Sequence, residues 1–99
     1  IETHKQFPDR TNVVFVRVKD RENLELRIWE RGVGETTASG TCSCAAAVAA
    51  MVHKKTGGAI DVRMPGGNAK IHWRDDGEVV ITGSAEVIYA GQWLAAEPR

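Results

Sequence analysis

The chain has 99 residues, and its 13 lysine and arginine residues balance its 13 aspartate and glutamate residues, so the formal net charge is zero. This length suits one small domain and leaves no room for a second. The neutral charge, without any basic run, argues against nucleic acid or an anionic membrane as a partner, and no apolar run of about 20 residues is present. We therefore predict a cytoplasmic chain with a small-molecule ligand.

The first predicted element is a β-hairpin. Residues Thr11 to Val18 and Asn23 to Trp29 are rich in β-branched and large apolar residues, and the polar residues 19–22 separate them as a turn. In the second strand, the two-residue period places Glu30 on the inward face that carries Leu24, Leu26 and Ile28. A carboxylate at the edge of a predicted core indicates a specific role.

A glycine-containing loop and a helix are predicted next. The three glycines within residues 31–40 allow sharp turns and close backbone approach. Strong helix formers then run from Cys42 to Lys55, with Thr41 as the expected N-cap and two glycines, at 57 and 58, as the stop signal. Because the first ten helical residues carry no charge, we expect this helix to be enclosed nearly all round.

The remainder of the chain predicts four short strands separated by tight turns. They are Ala59 to Met64, Ala69 to Trp73, Glu78 to Thr82 and Ala85 to Tyr89. Short turns favour antiparallel pairing. The predicted fold class is therefore α+β, a mostly antiparallel sheet wrapped around one central buried helix in a single domain covering residues 1–99.

The cysteines and histidines indicate neither a disulfide nor a metal site. Cys42 and Cys44 lie two residues apart, too close for an ordinary disulfide, and lack the further ligands of a zinc signature. They are predicted to be reduced residues of the helix. The histidines are scattered, and Gly32 to Gly34 lacks the context of a nucleotide fingerprint. We predict no metal and no cofactor.

The start of the helix is the best candidate for a ligand site. Ser39, Gly40 and Thr41 lead the chain into the helix, where unpaired backbone N–H groups and the positive end of the dipole favour a carboxylate or phosphate. Glu30 and Arg31 are expected to converge on the same place, although Arg31 could instead pair with Glu30. The alternative is that the glycines only permit a tight connection and that Ser39 or Thr41 is only a cap.

A family resemblance lies in this same segment. Residues 30–46, ERGVGETTASGTCSCAA, resemble the second-half signature of diaminopimelate epimerases, which typically reads E-R-G-x-G-E-T-x-A-C-G-T-G-x-C-A. The similarity continues in FPDRTNVVFV at residues 7–16, MPGG at 64–67 and ITGSAEVIYAG at 81–91. It covers nearly the whole chain in the order of the family.

The resemblance implies a protein with two similar halves, each a sheet around a central helix, and a substrate cleft between them. It implies that two cysteines, one from each half, move the α-proton of LL- or meso-diaminopimelate in lysine biosynthesis without pyridoxal phosphate or metal. Asn12, Glu30 and Arg31 would contact the substrate, and Gly40 and Thr41 would supply backbone N–H donors. This chain would be the second half, and its start at Ile1 suggests a fragment or an excised domain.

Two positions depart from the family pattern. Ser39 stands where the family has its catalytic cysteine, and Cys42 stands where glycine is usual. A serine hydroxyl is far less acidic than a thiol and needs an activating partner. Three explanations compete: an inactive site, an enzyme with one thiol that uses Ser39 or another base, or transfer of the thiol role to Cys42. The last is disfavoured because three residues displace the sulfur by several Å.

Two other functions remain open from the sequence. One is an isomerase of the wider superfamily that acts on another small carboxylic acid, and the other is a non-catalytic module that binds an amino acid. Under every reading the isolated chain is expected to be inactive, because the N-terminal half is missing. An exposed cleft face would also allow two copies to form a homodimer.

Overall fold

A computed structural model describes residues 1–96, which form one mixed sheet and one helix. The elements in chain order are β1 (Val13–Asp20), β2 (Asn23–Glu30), β3 (Gly34–Thr36), α1 (Gly40–Val52), β4 (Ala59–Met64), β5 (Gly67–Trp73) and β6 (Val79–Thr82). The predicted α+β class is confirmed, and so is the hairpin formed by the first two strands. In that hairpin Asp20 shapes the turn, because its carboxylate accepts the Glu22 N–H at 2.7 Å.

The strand order in the sheet is β1-β2-β4-β5-β6, with β3 paired to the end of β2. Every pair is antiparallel except β2 with β4, which run parallel through Leu24 opposite Val62. The parallel pair arises because α1 lies between β2 and β4 in the chain and returns the backbone to the same end of the sheet. The prediction of a mostly antiparallel sheet is therefore correct, with one crossover.

The core lies between one side of α1 and the sheet. Small helical residues face the sheet, so the strands can approach closely. They are Cys42, Ser43, Ala46, Ala47 and Ala50. The largest fully buried side chains opposite them are Leu24, Ile28, Val62 and Ile71. Burial of such side chains supplies most of the stability of a domain of this size.

The other side of α1 is exposed in this chain. Thr41, Ala45, Ala49 and Val52 follow one another at helical spacing along that side, and all four are exposed. The expectation that the helix is enclosed nearly all round is therefore met on one side only. None of these four positions carries a charged side chain, which is also typical of buried helix positions. For this reason the sequence predicted a helix that is enclosed nearly all round.

The helix starts and ends earlier than predicted. Ser39, not Thr41, is the N-cap, and the helix ends at Val52 with His53 as C-cap. Beyond it Lys54 adopts a positive φ of 59°, Lys54 N–H donates to Met51, and Lys55 N–H donates to Ala50. These two bonds form the C-terminal motif in which glycine usually holds the left-handed position. Because a lysine holds this position instead of a glycine, the sequence does not signal that the helix ends here.

Two strand predictions need correction. Gly34–Thr36 lies in the predicted loop but pairs with the end of β2, because the turn at residues 30–33 folds the chain back on itself. Residues Ala85 to Tyr89 were predicted to form a strand, and the structure has none there. Val87, Ile88 and Tyr89 are 86% to 90% exposed. A strand needs a neighbour to take its backbone hydrogen bonds, and within residues 1–96 nothing pairs with this segment.

Candidate functional site

Ser39 begins the helix and fixes the conformation of the candidate site. Its backbone is extended, and its Oγ accepts the Cys42 N–H at 3.2 Å, as expected of an N-cap. The same hydroxyl lies 3.4 Å from Oγ1 of Thr41. Among the residues that the structure describes, its hydrogen-bond partners include no basic side chain.

Two backbone donors at this helix end have no acceptor within the described part of the chain. The Cys42 N–H goes to the Ser39 side chain and the Ser43 N–H to the Ser39 carbonyl, which leaves the N–H groups of Gly40 and Thr41. Both residues are exposed. Two adjacent N–H groups at the positive end of a helix are suited to a carboxylate.

Asn12 connects three parts of the site just before β1. Its Oδ1 accepts the Arg31 backbone N–H at 2.7 Å, which fixes the orientation of the amide. Its Nδ2 then points to α1 and lies 3.7 Å from Sγ of Cys42. The structure thus brings together Asn12, the turn at Arg31 and the first turn of the helix.

Glu30 lies on the inward face of β2, as the two-residue period predicts. It is half-buried, and its Oε1 accepts a hydrogen bond from Oγ1 of Thr36 at 2.8 Å. Arg31 extends away from it: NH1 of Arg31 donates to the Asp9 carbonyl at 3.3 Å. The ion pairs found within residues 1–96 do not join Arg31 to Glu30, so the alternative pairing of these two residues is not formed.

No sequence pattern pointed to Glu2, which holds the turn that carries Arg31. Its carboxylate accepts the Trp29 indole N–H at 2.8 Å and the Gly32 backbone N–H at 2.8 Å. The indole hydrogen bond is the main reason that the pKa of Glu2 is lowered, with the Gly32 N–H and the nearby Arg10 acting in the same direction. A glutamate in an irregular N-terminal segment has no pattern that reveals such contacts.

The two cysteines are free, as predicted. Cys42 is only 4% exposed and belongs to the core, while Cys44 is partly exposed. No cluster of three or more histidine, cysteine, aspartate or glutamate side chains that could hold a metal ion occurs among residues 1–96. Within the same residues, no helix is long and apolar enough to cross a membrane.

The exposed N–H pair and the amide of Asn12, oriented by the Arg31 N–H, are polar groups suited to binding a small acid. The family model described as "Diaminopimelate epimerase" matches residues 1–88. This chain therefore belongs to the diaminopimelate epimerase family.

Individual relatives agree with the family match. The chain is 45% identical over 93 residues to a diaminopimelate epimerase of Chelativorans sp. (strain BNC1), which covers 94% of this chain and 32% of the relative. It is 46% identical over 97 residues to that of Desulforudis audaxviator, covering 97% of this chain and 35% of the relative. For Phocaeicola vulgatus the identity is 47% over 93 residues. The chain spans about a third of the length of these relatives.

Proposed function

We propose that this chain is the second half of a cofactor-independent, cytoplasmic diaminopimelate epimerase of lysine biosynthesis, in which Ser39 in place of the usual catalytic cysteine slows α-proton transfer between LL- and meso-diaminopimelate. The observation that carries the proposal is the pair of N–H groups on Gly40 and Thr41, which have no acceptor among residues 1–96 and lie within the family signature. The substrate would be a small amino acid with a carboxylate at each end. The other wall of the cleft would come from an N-terminal half.

The α-carboxylate of the substrate would bind to the Gly40 and Thr41 N–H groups. An α-proton is very weakly acidic, and its removal places negative charge on the adjacent carboxylate. Donors already aimed at that position lower the barrier without having to reorganise. Asn12, Glu30 and Arg31 would then contact the amino and distal groups of the substrate, and Asn12 is already oriented by the Arg31 N–H.

Ser39 would serve as a helix cap and not as a base. Its hydroxyl is occupied by the Cys42 N–H, and its partners among the described residues include no group that could take its proton. Cys42 is a poor replacement for the missing thiol, because its sulfur is buried and faces Asn12. The half-site would therefore bind the carboxylate, and a base from the N-terminal half would be the only one to reach the α-proton.

A hybrid protein tests this proposal. In it, this chain replaces the matching segment of the Desulforudis audaxviator relative, with which it aligns over 97 residues. Epimerisation of LL-diaminopimelate is followed by chiral separation for the hybrid, for Ser39→Cys and for a control with a surface thiol, Ser84→Cys. We expect Ser39→Cys to raise the epimerisation rate by about 10²–10⁴-fold, the usual contribution of a positioned acid or base. The control should not change the rate.

Two results would contradict the proposal. If the hybrid with Ser39→Cys folds, as judged by circular dichroism, and still neither binds nor epimerises diaminopimelate, the substrate is another acid. If the unchanged hybrid epimerises at the rate of the relative, Ser39 acts as an efficient base.

A second candidate function is a non-catalytic module that binds an amino acid. The specific observation in its favour is that the Ser39 hydroxyl is committed to the cap. Binding of diaminopimelate by the unchanged hybrid, without any exchange of its α-proton, would distinguish this module from an enzyme.

A further inference from the structure

The turn between β4 and β5 packs against the residues that lead into the helix. The Gly66 backbone N–H donates to the Thr37 carbonyl at 2.7 Å, so the turn is bonded directly to the segment Thr37–Ser39. We call this segment the site loop. Neither the connection from strand to helix nor the helix cap requires this contact. Gly66 lies 29 residues after Thr37 in the sequence.

Gly66 has no space for a side chain. A Cβ atom at this position would lie 2.9 Å from the Thr37 carbonyl oxygen, 2.9 Å from Thr37 Oγ1 and 3.1 Å from Thr37 Cβ. Its φ is outside the left-handed region, so backbone conformation does not explain the glycine. The glycine is explained instead by the close approach of two backbones. Any larger residue would push the site loop away from the sheet.

Met64 makes a second connection to the same loop. Its Sδ accepts the Ser39 backbone N–H at 3.5 Å and lies 3.0 Å from Oγ of Ser43. The Ser43 hydroxyl also lies 2.6 Å from the Ser39 carbonyl oxygen. Since that hydroxyl has one proton, it donates to one of these acceptors at a time, and the carbonyl is the closer. Ser43 is fully buried and Met64 is 8% exposed, so these contacts are shielded from water.

We propose that Gly66 and Met64 are positioning residues that set the place of the site loop and thereby the direction of the donors at the start of α1. This inference rests on the proposed function, since it concerns the same carboxylate-binding donors. Gly66 fixes the loop at Thr37 and Met64 fixes it at Ser39, immediately before Gly40 and Thr41. This role requires no contact between either residue and the substrate.

The test measures the helix start directly, without the substrate. In this chain carrying Ser39→Cys, the introduced thiol lies at the helix N-terminus, where the Cys42 N–H and the dipole lower its pKa. That pKa is obtained from the pH dependence of alkylation at position 39, located by mass spectrometry. Adding Gly66→Ala should raise it by roughly half a unit or more, because the loop is displaced from the N–H groups. The matched control is Gly57→Ala, where a Cβ would lie 3.9 Å from its nearest neighbour.

Met64→Leu provides a second variant that keeps the apolar volume and removes the sulfur acceptor. It should raise the thiol pKa in the same direction and speed hydrogen exchange of the Ser39 amide. If Gly66→Ala prevents folding, this variant decides the question. In the hybrid protein with Ser39→Cys, both variants should raise KM for diaminopimelate several-fold more than Gly57→Ala does.

Thiol pKa values equal to that of the Gly57→Ala control in both variants would overturn the positioning role. That outcome is distinguishable from failure of the proposed function. The thiol measurement needs no diaminopimelate, so a hybrid without activity contradicts the function while the positioning role is still decided by the pKa values.

Discussion

The Oγ atom of Ser39 lies 3.2 Å from the backbone nitrogen of Cys42 and accepts its N–H. This hydroxyl oxygen occupies the capping position of the helix, at the residue where the resemblance to the family signature implies a cysteine. A thiolate at this place would be stabilised by the N–H and by the helix dipole, whereas a hydroxyl remains a neutral cap. Ser39 thus caps the helix start without supplying a thiolate.

Removal of the cap should be measurable as a loss of stability. Ser39→Ala leaves the Cys42 N–H without its partner and should lower the free energy of unfolding by about 1 kcal/mol. Urea denaturation followed by circular dichroism measures this change. The matched control is Ser84→Ala, at an exposed position outside the helix. Equal stabilities for the two variants would show that Ser39 is not the cap in solution.

Lys54 should be a site where glycine stabilises the fold. It holds a left-handed backbone conformation, φ 59°, at the end of the helix, where residues with a Cβ are strained by about 1 kcal/mol. Lys54→Gly should therefore raise the free energy of unfolding by up to about this amount. The neighbouring Lys55→Gly has no such strain to relieve and should give no gain. A loss of stability in Lys54→Gly would contradict the observed helix end.

The contact between Glu2 and Trp29 should be lost at low pH. Because the folded pKa of Glu2 is lowered from its ordinary value of 4.5, the contact stabilises the fold above that value and is lost as the pH falls through the folded pKa. The indole N–H resonance of Trp29 should therefore titrate with a midpoint below 4.5. In Glu2→Ala, the Trp29 indole resonance should not titrate in this pH range.

The Trp73 indole supplies an internal control for this titration, since it donates to the Gly77 carbonyl, which does not titrate. If both indole resonances shift together, the chain is unfolding as a whole and the local contact is not being observed.

The two cysteines should differ in reactivity. Cys44 is partly exposed and Cys42 is 4% exposed with its sulfur near the Asn12 amide, so iodoacetamide should modify Cys44 first under native conditions. Mass spectrometry of the modified peptide locates the label. In denaturant the two rates should become similar. Faster native labelling of Cys42 would mean that its sulfur reaches the cleft, and would revive its role as a relocated thiol.

Local patterns predicted much of the fold. Alternation of apolar residues in β2 correctly predicted that Glu30 lies on the inward face. The cap was placed two residues late, because Ser39 and Thr41 are both good capping residues and only the geometry of the loop selects between them. The strand at residues 85–89 could not be excluded from its composition, since an extended apolar segment becomes a strand only beside a partner.

The contacts that support the site could not be predicted in the same way. Each joins residues far apart in the chain, such as Glu2 with Gly32 or Gly66 with Thr37. The MPGG segment belongs to the family resemblance in the sequence. The reason for a glycine at Gly66, however, is the short distance between two backbones. A sequence shows that a glycine is present and not which neighbour excludes a side chain.

The most direct test of the account is α-proton exchange in the hybrid protein. LL- and meso-diaminopimelate are incubated separately in heavy water, and deuterium at the α-carbon is measured by mass spectrometry together with the configuration. With Ser39 present, we predict that deuterium uptake from one of the two epimers occurs with retention at least about 10²-fold faster than with inversion, because only the base of the other half acts efficiently. With Ser39→Cys, uptake should be accompanied by inversion. Inversion at the rate of the relative with Ser39 in place, or no uptake in either protein, would contradict the account.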